Sequence, residues 1–223
     1  MGLDMRPMGK PKPGFEKRFE EVFIMVTQNK IPKRKLIDKL KGKKQQTKEA
    51  LLQEWRANQI PSYEALKAPR VGRDKEADNW IRSRYDELEQ KPLLESFLKE
   101  YEGYYVIELA KELDGVPVYI AMGQDENVFR GEFLRNCVDI LGEDLAYQAW
   151  SSKFATETLD YGNKLMVTAD RLAEENGLKH LKEQRLPPDA DEDTMESKLH
   201  IVYSLARWLI FYGKNGHGYE ADF

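Results

Sequence analysis

The sequence predicts a mainly α fold, with an N-terminal tri-helical, helix-turn-helix-like unit followed by a helical bundle carrying one β-hairpin. Three observations lead there. Apolar residues recur at three- and four-residue spacing along most of the 223 residues, which marks the buried face of a helix. Two short runs rich in aromatic and branched residues, Tyr104 to Leu109 and Val116 to Met122, flank Asp114-Gly115, a hairpin signal. Finally, Lys30 to Lys48 holds nine basic residues and one acid, Asp38. That stretch is +8 in a chain of −4, which leaves −12 for the remainder. Such asymmetry points to a polyanion partner for the basic part.

Residues 1–14 are rich in Met, Lys and Pro and are expected to be a flexible N-terminus. Residues 15–60 form the helix-turn-helix-like domain. Phe15, Phe19, Val22, Phe23 and Val26 share one face of a first helix, opened by Pro13-Gly14. Pro32 suits the first turn of a second helix, where its missing N–H costs nothing. Leu36, Ile37 and Leu40 are its apolar side, and Gly42 ends it. Thr47 offers an N-cap hydroxyl to a third helix whose inward positions are Leu51, Leu52 and Trp55. None of the three is long enough to persist alone, so each must bury its stripe against the others.

In a helix-turn-helix, the turn and the start of the last helix enter the major groove. Here those positions read Lys43-Lys44-Gln45-Gln46-Thr47-Lys48. Gln can bond adenine's edge in two places, Lys reaches guanine or phosphate, and the Thr methyl meets a thymine methyl. The expected DNA contacts are therefore Lys33, Arg34, Lys43, Lys44 and Lys48 to phosphate, with Gln45, Gln46 and Thr47 facing bases. The bland alternative is a lysine-rich run serving only as a solvated face.

The pattern Leu36, Leu40, Thr47, Leu51, Leu52, Glu54, Trp55 and Arg56 resembles the N-terminal DNA-binding domain of KfrA-type plasmid proteins, over residues 15 to 57. The resemblance implies a helix-turn-helix-like DNA-binding unit in a bacterial plasmid protein. Lys48 and Ala50 depart from the apolar and basic residues of that pattern, and the coiled coil that follows the domain in that family is absent.

Residues 61–73, with Pro61, Pro69 and Gly72, read as a linker, and residues 74–223 as an acidic helical domain. Asp74 is expected to cap a helix bearing Ala77, Trp80, Ile81, Tyr85 and Leu88. A second, from Pro92 to Gly103, turns Leu94, Phe97, Leu98 and Tyr101 inward. Asp125 should cap a helix with Val128, Phe129, Phe133, Cys137 and Leu141, closed at Gly142. One long helix is expected from about Glu143 to Glu175, ending at Asn176-Gly177. Asp193 with Glu196 resembles a capping box for a last helix that ends at Gly213.

Single Cys137 excludes a disulfide framework and fits a reducing compartment, with cytoplasm the default. Its apolar neighbours suggest a buried thiol. The N-terminus lacks the apolar run of a secretory signal, and no stretch approaches a membrane span.

Four further patterns admit blander readings than chemistry. Asp189 to Asp193 could suggest calcium, but an EF-hand loop needs Gly at position six and Glu at twelve, where Thr194 and His200 stand. Glu196 and His200 at i,i+4 read as a surface pair. Glu157 and Asp160 lack an upstream carboxylate pair to hold magnesium. Gly213 to Gly218 follows a helix C-terminus, the wrong end for a phosphate loop, so it reads as a flexible cap and tail. No catalytic residue, metal or cofactor is expected.

The leading expectation is a non-enzymatic DNA-binding protein, of plasmid, phage or transcription accessory type, whose acidic bundle oligomerises or binds a partner. The rival is a non-catalytic interaction module, such as a bacterial immunity or phage accessory protein, meeting a basic protein through its −12 part. The third is a metal-dependent hydrolase built on Glu157, Asp160, Glu196 and His200.

Overall fold

A computed structural model describes residues 2–31, 47–111, 120–121 (backbone only) and 127–223. In chain order it contains β1 (Asp4–Pro7), β2 (Lys10–Pro11), α1 (Glu16–Thr27), α2 (Lys48–Ala57), β3 (Gln59–Ile60) and α3 (Tyr63–Leu66). Next come α4 (Lys75–Asp86), α5 (Leu94–Glu100), a 3-10 turn at Ile107–Leu109, β4 (Ile120–Ala121) and β5 (Val128–Arg130). A 3-10 helix at Gly131–Cys137 leads into α6 (Val138–Leu141) and α7 (Glu143–Ala146). The chain closes with α8 (Ala155–Asn176), α9 (Met195–Lys214) and β6 (Tyr219–Asp222). The fold is mainly α with small antiparallel sheets. It divides into two compact units, residues 9–61 and residues 1–8 with 62–223.

The larger unit is organised by α8 and α9. Along α9 the sequence is apolar nearly all round, so Leu199, Val202, Leu205, Ala206, Trp208 and Leu209 are fully buried. Helix α8 is amphipathic and lays Tyr161, Leu165 and Ala169 into the same core. Two glycines set how closely these helices approach. A Cβ on Gly213 would lie 2.7 Å from the Leu159 backbone nitrogen, and one on Gly162 would lie 2.9 Å from the Leu209 Cβ. Gly177, at φ +71°, ends α8 in the left-handed region, with the Leu178 amide returning to the Ala173 carbonyl at 2.8 Å.

A four-stranded antiparallel sheet, ordered β4-β5-β1-β6, packs beside these helices. Its second inner strand is the N-terminal one: Met5 sits opposite Phe129 on β5 and opposite Ala221 on β6. Asp4 faces Asp222 across that ladder, a repulsive pairing by itself. Arg130 answers it at 2.9 Å from Asp4, and Arg6 lies 3.5 Å from both carboxylates.

Several expectations are corrected. Residues 1–14 are not a flexible tail: Leu3, Met5 and Met8 are buried and β1 occupies the sheet interior. Residues 61–73 are not a free linker, because Leu66, Ala68 and Val71 are buried and Pro69 to Val71 bonds to Tyr104 to Val106. Tyr104 to Val106 therefore pairs with that segment and Ile107–Leu109 turns 3-10, while the expected partner run, Val116 to Met122, lies outside the described residues except for Ile120 and Ala121. The hairpin among the described residues is β4–β5, one connection further on. The expected turn Asp114-Gly115 and the expected cap Asp125 lie outside the described residues.

The helix expected to carry Val128 and Phe129 is strand β5 followed by 3-10 helix, since Phe129 fills a sheet position opposite Met5. The single helix expected from Glu143 is interrupted around Ser151 to Phe154, where Lys153 exchanges two backbone hydrogen bonds with Tyr219 at 3.0 and 2.9 Å. The cap of α9 is Thr194, whose hydroxyl accepts from the Ser197 amide, and not Asp193. The tail after Gly213 is not loose. His217 and Tyr219 are fully buried, and His217 Nδ1–H donates to the Met8 carbonyl at 3.0 Å.

Candidate nucleic-acid interface

The unit of residues 9–61 contains 14 basic and six acidic residues, so it carries the whole +8 excess and leaves −12 to the other unit. Outside Lys30 to Lys48 its charges cancel, five against five. The basic stretch thus lies wholly inside one of the two packing units.

Helices α1 and α2 form the described frame of this unit. Gly14, at φ +85°, turns the chain into α1, and its amide donates to the Glu16 carboxylate at 3.1 Å. Phe19, Val22 and Leu51 are buried between the helices. Trp55 stacks on Phe19 with ring centroids 5.0 Å apart and leans on Phe23 at 5.7 Å. Of the expected inward positions of the third helix, Leu51 is buried, while Leu52 and Trp55 are half-buried.

Polar contacts fix the register. Arg18 binds both oxygens of Glu54, at 2.6 and 2.8 Å. Glu54 is thereby held below the usual carboxylate range, chiefly through the hydrogen bonds from Arg18. Before α1, the Lys12 amide donates to the Asn58 carbonyl at 2.9 Å, and its ammonium reaches the Ala57 carbonyl at 2.8 Å. A cation there also suits the negative end of α2. Strands β2 and β3 pair Lys10 with Ile60 and Pro11 with Gln59, closing the unit.

These contacts join the entry of α1 to the exit of α2 and then Arg18 to Glu54 one turn inward, so the two helices run antiparallel. The exit of α1 and the entry of α2 therefore share one end of the pair, the end that bears both flanks of the basic stretch.

Of the eight expected DNA-contacting residues, Lys33, Arg34, Lys43, Lys44, Gln45 and Gln46 lie outside the described residues, as does the expected second helix. Thr47 and Lys48 are described. Thr47 is extended, at φ −99° and ψ 162°, and its hydroxyl accepts from the Ala50 amide at 3.2 Å. It is the N-cap expected of it, with that oxygen committed to the helix. Lys48 is the exposed first residue of α2. Glu49 follows in the first turn, held below its ordinary range by its own backbone amide and then by Thr47. Sequence reasoning noted Glu54 only within the KfrA-like pattern and missed its partner Arg18, which does not stand out until α1 and α2 are paired.

The residues of the hydrolase reading are not brought together. Glu157 accepts from the Phe154 amide at 3.2 Å, serving the start of α8. Glu196 lies 3.9 Å from His180, and His200 is buried against the Gln184 carbonyl at 3.1 Å, so Glu196 and His200 are no surface pair. Among the described residues no three His, Cys, Asp or Glu side chains group as metal ligands, and no helix is long and apolar enough to cross a membrane.

Compared with known proteins, the chain matches no family model, no curated protein and no solved structure.

Proposed function

We propose that residues 9–61 are a DNA-binding unit and that the chain is a non-enzymatic DNA-binding accessory protein of plasmid, phage or transcription type. One observation carries the reading: the whole +8 excess belongs to one compact unit and sits on a stretch flanked by a single end of an antiparallel helix pair. A braced frame presenting dense positive charge suits a polyphosphate, because each neutralised phosphate releases condensed counterions. Thr47 and Lys48, at the start of α2, stand where a recognition helix would begin. The resemblance of Leu51, Leu52, Glu54, Trp55 and Arg56 to the KfrA-type pattern supports the same reading. In it, Lys33, Arg34, Lys43, Lys44 and Lys48 meet phosphate, while Gln45, Gln46 and Thr47 face bases. The mechanism is occupancy of DNA, in a reducing cytoplasm.

Fluorescence anisotropy of the full chain with a random duplex tests this. Five phosphate contacts predict a log–log salt slope of about −4.5, or a loss of roughly 500-fold between 50 and 200 mM salt. Lys43→Glu/Lys44→Glu should flatten that slope by about two and weaken binding at every salt concentration. No binding at 50 mM salt would remove the proposal.

A second reading rests on the other half of the charge division. The −12 unit could instead meet a basic protein, as an immunity or phage accessory module would. Retention of a basic partner by a Lys43→Glu/Lys44→Glu variant that has no DNA affinity to lose would favour it.

A further inference from the structure

We propose that the cleft between α4, α5 and the 3-10 turn Ile107–Leu109 binds a small organic cation with an apolar body, an arylalkylammonium being the type. The cleft holds about 520 Å³, inside the span of roughly 300–1,000 Å³ common to small-molecule sites. It lies in the larger unit, over the small apolar cluster of Val71, Ala77, Ile81, Phe97 and Val106, and touches the α8–α9 core at Ile107. Its floor is apolar: Ile81, Val106 and Ile107 are essentially fully buried, and Phe97 nearly so. Trp80 and Tyr101 add aromatic walls, whose faces are electronegative.

The charged groups decide which ligand fits. Three line the cleft: Arg84, Glu87 and Glu108. Arg84 reaches Glu87 at 3.1 Å and Glu108 at 3.3 Å, so two carboxylates answer one guanidinium and the mouth is net −1. Glu108 also accepts from Trp80 Nε1 at 2.8 Å, and the guanidinium lies 5.1 Å from the Trp80 ring centre. The polar rim is thus already braced, and a ligand need not order it. An anion would have to compete with two carboxylates for Arg84. An ammonium instead meets the surplus carboxylate charge beside aromatic faces, which attract cations.

The test uses the full chain labelled with ¹⁵N at its indoles. Four tryptophans (Trp55, Trp80, Trp150 and Trp208) give four indole signals, and Trp80→Phe identifies the one at the cleft. 2-Phenylethylamine is titrated against the near-isosteric anion 3-phenylpropionate. The Trp80 signal should move saturably with the amine, at about fivefold lower concentration than with the anion. Glu87, with its side chain 66% exposed, can be changed to Gln without touching the core. Glu87→Gln should bring the two ligands to within about twofold of each other. No saturable shift with the amine, equal or tighter binding of the anion, or an undiminished preference in Glu87→Gln would each overturn the proposal.

Discussion

The Arg18 guanidinium donates from Nε and Nη2 to the two oxygens of Glu54, at 2.6 and 2.8 Å, across 36 residues of chain. Both side chains are about one-third exposed, so solvent screens much of the attraction. The fork-to-fork geometry nonetheless fixes the register of α1 against α2. That matters because the basic stretch leaves and re-enters this helix pair.

A double-mutant cycle of Arg18→Ala and Glu54→Ala should give a coupling of about 0.5–1 kcal/mol in urea unfolding, the upper range for partly exposed pairs. Glu54 is held below its ordinary 4.5. The coupling should therefore be complete above pH 4.5 and fade as pH falls through the lower folded value. A coupling near zero at pH 7 would show that Phe19, Phe23 and Trp55 alone set the register.

Gly213 and Gly162 should differ in their response to Ala. A Cβ at position 213 meets the Leu159 backbone at 2.7 and 2.8 Å, so α8 itself must shift. At position 162 two of the three nearest atoms belong to side chains, at 2.9 Å, with the Ile210 nitrogen at 3.0 Å. Overpacking typically costs about 1–3 kcal/mol, with Gly213→Ala at the upper end and Gly162→Ala below it. Thermal melts of both variants check the order. Equal, small losses would mean that the two helices can separate freely.

Legibility followed distance along the chain. Helix α1 could be read because Phe19, Val22 and Phe23 state a 3.6-residue period locally, and α9 because Ile201 to Tyr212 is apolar except at Ser204 and Arg207. The break before α8 could not, since Ser151 to Phe154 holds no Gly or Pro. Its cause is the pairing of Lys153 with Tyr219, 66 residues away. Strand β1 was hidden in the same way: Asp4 to Pro7 is short, ends in Pro, and finds partners only near residues 130 and 220. Of the candidate interface, Thr47 was legible because an N-cap is a local device. The Arg18–Glu54 clamp needed the tertiary pairing first.

His200 predicts a pH dependence. Burial holds its pKa below 6.5, while the Gln184 carbonyl opposes that shift and nearby Arg207 adds to it. The unfolded chain takes up this proton below pH 6.5 and the folded chain does not. This contribution to stability is therefore intact above 6.5 and lost as pH falls through the folded value. His200→Gln keeps an N–H for Gln184 but does not titrate. Its stability should fall less steeply just below pH 6.5, by up to about 1.4 kcal/mol per pH unit. Parallel urea titrations of both proteins from pH 7.5 to 5 measure this. Identical slopes would place His200 in water before global unfolding.

Cys137 should be inert while the protein is folded. It is fully buried, its sulfur is near the Phe133 and Lys198 carbonyls at 3.7 and 3.6 Å, and burial pushes the thiol up to about 12 from 9.0. The thiolate is the reactive form, so its fraction alone slows reaction about 1,000-fold at pH 8. Ellman's reagent should show no fast thiol in native buffer and one per chain in urea. Prompt native labelling would mean that the 3-10 helix Gly131–Cys137 opens readily.

Removal of residues 2–8 should unfold the larger unit while leaving the charge of residues 9–61 unchanged. The segment contributes Leu3, Met5 and Met8 as buried apolar side chains. It also supplies the strand that hydrogen-bonds β5 on one edge and β6 on the other. Without it, β6 loses its only sheet neighbour among the described residues. His217 loses the Met8 carbonyl, and Gly131 loses the Leu3 side chain packed over it. Met5→Ala isolates the packing part, expected at about 2–5 kcal/mol, while the deletion adds two lost ladders and a bare sheet interior. Far-UV circular dichroism with thermal melting should show a lower midpoint for Met5→Ala and no cooperative transition of the larger unit in the deletion. If the deletion melts like the intact chain, β1 is dispensable and the N-terminal segment only decorates the sheet.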